Sequence, residues 1–161
     1  MAVELLVLRL VHILGGVWWV GAGLFTTFYL APALKAAGPA AAGAVMGNMQ
    51  KRHMFTVMPI VATLTILSGV RLMMIVSGGD GDWFRHRAGH TYSVAAAFAI
   101  IAFLTGLFVS RPAMVKAGKL AQSGGDAATI AKLQKRGALG TLVAVLLLIL
   151  SAAGMAIARY L

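Results

Sequence analysis

The sequence predicts an all-α integral membrane protein, a four-helix up-down bundle in which residues 1–161 form a single domain. Hydrophobic residues make up 60% of the chain and charged residues only 11%, less than half the charged share of an ordinary soluble domain. Four apolar stretches reach the roughly 20 residues that a helix needs to cross a bilayer. Because backbone groups must be paired inside lipid, we expect all four to be helices.

The four predicted helices are bounded by glycine, proline or charged residues. They cover about residues 4–34, 53–76, 91–110 and 137–158. A polar, glycine-rich run at residues 77–82 stops the second helix, and Arg111-Pro112 follows the third. Pro39 suits a helical first turn, so we expect a helix that runs on into the second span. Asp126 is a suitable N-cap for a cytoplasmic extension of the fourth.

The basic residues of the loops predict the orientation of the bundle. The first and third loops together carry nine basic residues: Lys35, Lys51, Arg52, Arg111, Lys116, Lys119, Lys132, Lys135 and Arg136. The second loop carries two, Arg85 and Arg87. Since cytoplasmic loops are enriched in Lys and Arg, we expect the first and third loops in the cytoplasm. Both termini would then face the periplasmic side of a bacterial inner membrane.

Composition also excludes several classes of function. The net charge of +10 is explained by the cytoplasmic loops and by contact with anionic membrane lipid, so no nucleic-acid partner is expected. The chain has no cysteine, which excludes disulfides, thiolate metal sites and covalent haem attachment. No carboxylate lies deep in a predicted span, which argues against a carboxylate proton relay or an ion-coupled transporter.

His12 is the main candidate for a functional residue. It lies within the long apolar run of the first helix, where a titratable ring is costly unless it pairs or binds something. Arg9 lies one turn before it, Gly15 and Gly16 one turn after it, and Trp19 two turns after it, all in one helical stripe. A cation, an imidazole and a gap left by two glycines would suit a flat, anionic cofactor.

The expected topology places further residues on the side of the membrane where His12 lies. His90 stands at the start of the third helix, and Arg71 lies in the outer part of the second. Two imidazoles from facing helices can ligate a haem iron, and arginines can neutralise the haem propionates. We therefore predict haem b with iron ligands His12 and His90. The alternative is that His12 forms a hydrogen bond with a neighbouring helix, while the arginine side chains extend to the membrane surface.

A second candidate site lies near the opposite side. Met46, Met49 and His53 would share one face of a continuous helix. Thioether and imidazole groups suit Cu(I), so copper is an alternative ligand. Methionine is also an ordinary packing residue in apolar chains.

Several short motifs resemble the CopD-like membrane domain and the related HemJ-type four-helix proteins. They are His12, Trp18-Trp19-Val20-Gly21, Pro32, Lys51-Arg52, Phe55 and Ser68-Gly69. The resemblance covers residues 5–71 by motif and the remainder by hydropathy. It implies a haem-binding or copper-related membrane protein, with His12 as the position that transfers.

These observations predict a haem b protein that takes part in electron transfer or a redox reaction in the membrane. A copper-handling permease and a cofactor-free accessory subunit of a larger membrane complex are the alternatives. A redox partner and a homo-oligomer are both compatible with the sequence.

Overall fold

The computed structural model describes residues 2–161, which are almost entirely helical and form no strand. The α-helices are α1 (Ala2–Phe25), α2 (Ala31–Lys51), α3 (Met54–Ser77), α4 (Arg87–Thr105), α5 (Arg111–Gln122) and α6 (Ala127–Ala158). A π-turn joins α1 to α2 (Thr26–Leu30) and another joins α4 to α5 (Gly106–Ser110), while a short 3₁₀ turn (Asp82–Arg85) precedes α4. The predicted all-α class is confirmed.

Four helical stretches are long and apolar enough to cross a membrane: α1 with α2, α3, α4 with α5, and α6. They pack as two antiparallel hairpins, α1 against α3 and α4 against α6. Smaller contacts between α3 and α4 and between α1 and α6 close the bundle. We call the end that carries Ala2, residues 77–87 and Ala158 the termini end, and the opposite end the basic end.

The helical stretch that contains the third predicted span extends beyond residues 91–110 at both ends. It begins at Arg87 and continues through Arg111-Pro112 to Gln122. The π-turn directly before Arg111 accommodates the proline, since Pro112 then falls in the first turn of α5, where a missing N–H costs no hydrogen bond. The same arrangement joins α1 to α2, with a π-turn before Pro32.

The segment between the first two spans does not run straight into α3. Gly38 has φ 88°, which bends α2 sharply just before Pro39. The helix then ends at Lys51, and His53 adopts the left-handed conformation with φ 58°. This second break separates α2 from α3, so His53 does not continue the helical face of Met46 and Met49.

The core of the bundle consists mainly of small residues between α4 and α6. Its buried apolar cluster contains Ala102, Ala144 and Leu148, against which Trp19 packs. At the termini end, Gly154 of α6 faces Ala95 so closely that a Cβ added to the glycine would lie 3.0 Å from the Ala95 Cβ. By contrast, α1 has no buried residue.

Candidate functional site

His12 is partly buried and its ring is held by α3. Its Nδ1 lies 2.8 Å from the backbone carbonyl oxygen of Thr65. Because a carbonyl oxygen can only accept, Nδ1 must carry the proton and donate it. The neutral ring then has its lone pair at Nε2. Histidines that bind metals are commonly oriented in this way, with one ring nitrogen donating to a carbonyl and the other free to coordinate.

Two glycines allow the close approach of α1 and α3 around this ring. A Cβ placed on Gly69 would lie 2.7 Å from the His12 Cε1 and 2.9 Å from its Nδ1. Gly15 faces the hydroxyl of Thr65, and a Cβ there would collide with it. Gly16 is less constrained, since the nearest atom to a Cβ there would be 3.8 Å away. Gly15 and Gly69 therefore shape the site, whereas Gly16 does not.

The hydroxyl residues of α3 around the site carry no sequence signal that marks them as partners of His12. Thr65 and Ser68 are buried. The Ser68 hydroxyl donates to the carbonyls of Leu64 at 2.7 Å and Thr65 at 3.0 Å, and Thr65 donates to Val61 at 2.8 Å. A hydroxyl that donates to the carbonyl three or four residues earlier in its own helix needs no partner on another helix. The partner for His12 is thus the Thr65 carbonyl, which no sequence motif marks.

Trp19 lies deeper in the same stripe of α1 and contacts the core rather than His12. Its ring meets Phe103 of α4 edge to face, with centroids 6.2 Å apart. It also packs against the Ala102, Ala144 and Leu148 cluster. Trp19 therefore anchors α1 to the second hairpin two helical turns, or about 10 Å, beyond His12.

The two arginines of the predicted site differ in their partners. Arg71 forms an ion pair with Glu4, with its Nε at 2.9 Å and its Nη2 at 2.6 Å from the Glu4 Oε1. The two side chains remain 52% and 41% exposed. Arg9 is exposed and makes no ion pair within residues 2–161. Arg9 is consequently the uncompensated cation nearest His12 along α1.

His90 faces a different neighbour from His12. It is exposed and lines a shallow groove of about 190 Å³ between α4 and α6, together with Phe98 and Gly154. Tyr92, two residues later and about 160° around the helix, stacks on Trp83 with centroids 6.2 Å apart. No hydrogen bond joins His90 to His12 in the part of the chain that the structure describes. The structure thus brings His12 to α3 and His90 to α6.

The residues of the alternative copper site lie near the end of α2 and in the turn that follows it. Met46 and Met49 are partly buried on α2, while His53 is exposed in the left-handed turn that follows. Across residues 2–161, no group of three or more His, Asp or Glu side chains could hold a metal ion. The helical face on which the copper interpretation depended is therefore interrupted.

Comparisons with known proteins give no assignment. No family model matches the chain, and neither a curated protein nor a solved structure matches it. The resemblance to CopD-like and HemJ-type proteins stays a prediction, and function has to be argued from the site itself.

Proposed function

We propose that this protein binds one b-type haem through the Nε2 of His12 and takes part in electron transfer or a redox reaction in the membrane. The observation that carries the proposal is the hydrogen bond from His12 Nδ1 to the Thr65 carbonyl. It orients an imidazole inside a membrane-length helix and leaves its second nitrogen as a lone-pair donor. When bound, haem would supply one-electron chemistry, which the protein tunes by ligation, burial and nearby charge.

Room for a porphyrin must come from movement of α1. Two surface grooves have volumes of about 190 and 230 Å³, below the 300–1,000 Å³ typical of ligand sites. His12 lines neither of them. The contacts of the first span with α6 and of α3 with α4 are both much less extensive than those within the two hairpins. Separating α1 from α6 would also lift Trp19 from the buried cluster of Ala102, Ala144 and Leu148 that it packs against. His12 keeps α1 attached to α3 meanwhile, so the first hairpin would move as a unit.

Arg9 is the residue best suited to a haem propionate. It lies one turn from His12 towards the termini end, and no acid neutralises it within residues 2–161. A charge-assisted hydrogen bond to a carboxylate is stronger than a neutral one. Arg71 would have to exchange Glu4 for the propionate, which makes it the weaker of the two contacts.

The second iron ligand is the less constrained part of the proposal. His90 is the residue predicted from the sequence, but its ring lines the groove towards α6. Bis-histidine ligation would therefore require α4 to turn, whereas ligation by His12 alone requires no rotation of α4. Loss of haem in a His90 variant distinguishes these two forms of the site.

The test is the absorption spectrum of protein purified in detergent from haem-replete cells. We expect a Soret band in the wild type and its loss in His12→Ala. His86→Ala is the matched control, because His86 is exposed and precedes α4, and it should retain the band. His12→Gly with added imidazole should recover the band if the variant is folded. Wild-type protein without porphyrin would overturn the proposal and favour a cofactor-free accessory subunit.

A further inference from the structure

A short helical hairpin extends the bundle at its basic end. It consists of α5, the turn at residues 123–126 and residues 127–136 of α6, and we call it the basic hairpin. Ala113 and Ala117 are buried in the contact between α5 and α6, and Met114 lies over Gly137. The turn at the tip is fixed by Gly124, with φ 70°, and by the Gly125 N–H, which donates to the Leu120 carbonyl at 2.8 Å.

The exposed surface of the basic hairpin is strongly positive. Six cations belong to it, and all are exposed: Arg111, Lys116, Lys119, Lys132, Lys135 and Arg136. Its one acid, Asp126, accepts hydrogen bonds at 2.7 Å from the Thr129 N–H and hydroxyl. These bonds hold the pKa of the Asp126 carboxyl below its ordinary value. Six cations against one carboxylate leave an excess of five positive charges.

The cations lie on the faces turned away from the contact between the two helices. On α5 the residues buried against α6 are Ala113 and Ala117. Lys119 lies roughly 120–160° around the helix from them, and Lys116 roughly 60–100°. Val115, which is 50% exposed, lies beside these lysines. A mixed cationic and apolar surface is typical of helices at the boundary between headgroups and hydrocarbon.

The charges are concentrated on the part of the basic hairpin nearest the spans. Lys119 is the farthest along α5, eight residues or about 12 Å beyond Arg111, and Lys132 is about 6 Å from Arg136. The headgroup layer adds roughly 5–7 Å to each side of the hydrocarbon core. Long lysine and arginine side chains can reach back across the remaining distance. The tip, at residues 120–129, carries no cation.

From this distribution we infer that the basic hairpin binds the phosphate groups of anionic lipids in the adjacent leaflet. An acidic protein or nucleic acid arriving from solution would meet the tip first, and the tip is where cations are absent. Each Lys or Arg near an anionic surface contributes attraction that falls off within a Debye length of about 10 Å. All six cations lie within or close to that distance from the ends of the spans.

The test measures lipid enrichment around the full-length protein. Wild-type protein is reconstituted with equal amounts of phosphatidylcholine and phosphatidylglycerol, and the co-purifying lipids are counted by native mass spectrometry. We expect phosphatidylglycerol to be enriched at least twofold, and 0.5 M salt to reduce the enrichment because screening weakens surface electrostatics. Lys116→Gln combined with Lys119→Gln should lower it markedly.

The matched control removes two exposed cations at the termini end, Arg87→Gln with Arg159→Gln. This variant should keep the enrichment. Equal enrichment in wild type and the lysine double variant would overturn the inference, as would equal losses in both double variants. Binding of an acidic protein or RNA without lipid enrichment would assign the surface to a soluble partner instead. Circular dichroism of each variant verifies that the helices are intact.

Discussion

The two hairpins of the bundle share a plan but differ in what holds them together. Each is an antiparallel pair, and in each the first helix passes through a π-turn directly before a proline. In the second hairpin, Ala95 and Ala102 of α4 are buried, as are seven residues of α6. In the first hairpin, α1 buries none, and α3 is joined to it by His12 and by the Glu4–Arg71 ion pair.

From this difference we infer that the second hairpin is the structural scaffold and that the first hairpin carries the candidate site. Close packing of small residues provides most of the attraction between helices in lipid, where hydrophobic burial gives no advantage. The second hairpin has this packing along its length. The first combines close approach at Gly15 and Gly69 with a few polar contacts, and its buried residues belong to α3 rather than to α1. A ligand is therefore expected to enter beside α1, while α4 and α6 keep the bundle assembled.

The largest effect is expected from a substitution that disrupts the packing of the second hairpin. Gly154→Val places a branched side chain against Ala95, whose Cβ would be 3.0 Å from the new Cβ. Overpacking costs about 1–3 kcal/mol, so the unfolding midpoint in detergent should fall clearly. Gly21→Val is the matched control, because no atom lies within 4 Å of a Cβ there. Similar losses in both variants would contradict the proposed division between the hairpins.

A smaller change tests the contact between His12 and α3. Gly69→Ala puts a methyl group within 3 Å of the His12 ring, so the ring must move and its bond to Thr65 must weaken. We expect a stability loss of about 1 kcal/mol and an altered haem spectrum. Gly16→Ala, with 3.8 Å of room, should instead be neutral or slightly stabilising. An unchanged spectrum in Gly69→Ala would show that the ring position is irrelevant to ligation.

The two arginines should contribute unequally to haem retention. Arg9→Gln removes a charge-assisted contact and should weaken haem binding about tenfold to a hundredfold. Arg71→Gln should have less effect, since Arg71 is held by Glu4. Glu4→Gln frees Arg71 and should strengthen retention, at a stability cost below about 1 kcal/mol for this exposed pair. Haem-transfer kinetics to apomyoglobin would measure all three, and equal losses for both arginine variants would remove the distinction.

The smallest effect concerns the tip of the basic hairpin. The folded-state pKa of Asp126 is lowered by its bonds to Thr129. The stabilisation is therefore fully present above the ordinary value of 3.8 and is lost as the pH falls through the folded value. Asp126→Asn should reduce this acid dependence without changing stability at neutral pH by much, since Asn is also a good N-cap. Hydrogen exchange of the Thr129 amide at pH 3 and pH 6 would measure it.

The sequence predicts the four membrane-length helices because lipid imposes a strong length and hydropathy signal on each. It also identifies His12, since a titratable ring in such a run is conspicuous. The partner carbonyl of Thr65 could not be predicted, because every residue has a carbonyl and only the packing of α1 on α3 selects one. Gly69 stands out in the sequence as a glycine within an apolar helix. Its contact with the His12 ring, however, depends on the same packing of α1 on α3.

Two further differences have physical explanations. Arg111-Pro112 indicated a helix end, but the π-turn before it absorbs the proline and the helix continues. The pairing of His90 with His12 stays a prediction. It assumed that residues at a similar depth face each other, whereas His90 lines the groove towards α6. Depth follows from counting residues along a helix, whereas the direction of a side chain depends on how α4 is rotated against α6.

The π-turn at Gly106–Ser110 also sets the rotational phase of everything beyond it. A π-turn holds one residue more than an α-turn, and each residue of an α-helix advances by about 100°. If the same five residues were wound as α-helix, with none deleted, α5 would turn by about that angle relative to α4. Ala113 and Ala117 would leave α6, and lysines would rotate towards it. The extra residue held by the π-turn thus keeps the charged side of α5 turned away from α6. The π-turn therefore determines which face of α5 is exposed beyond the bundle.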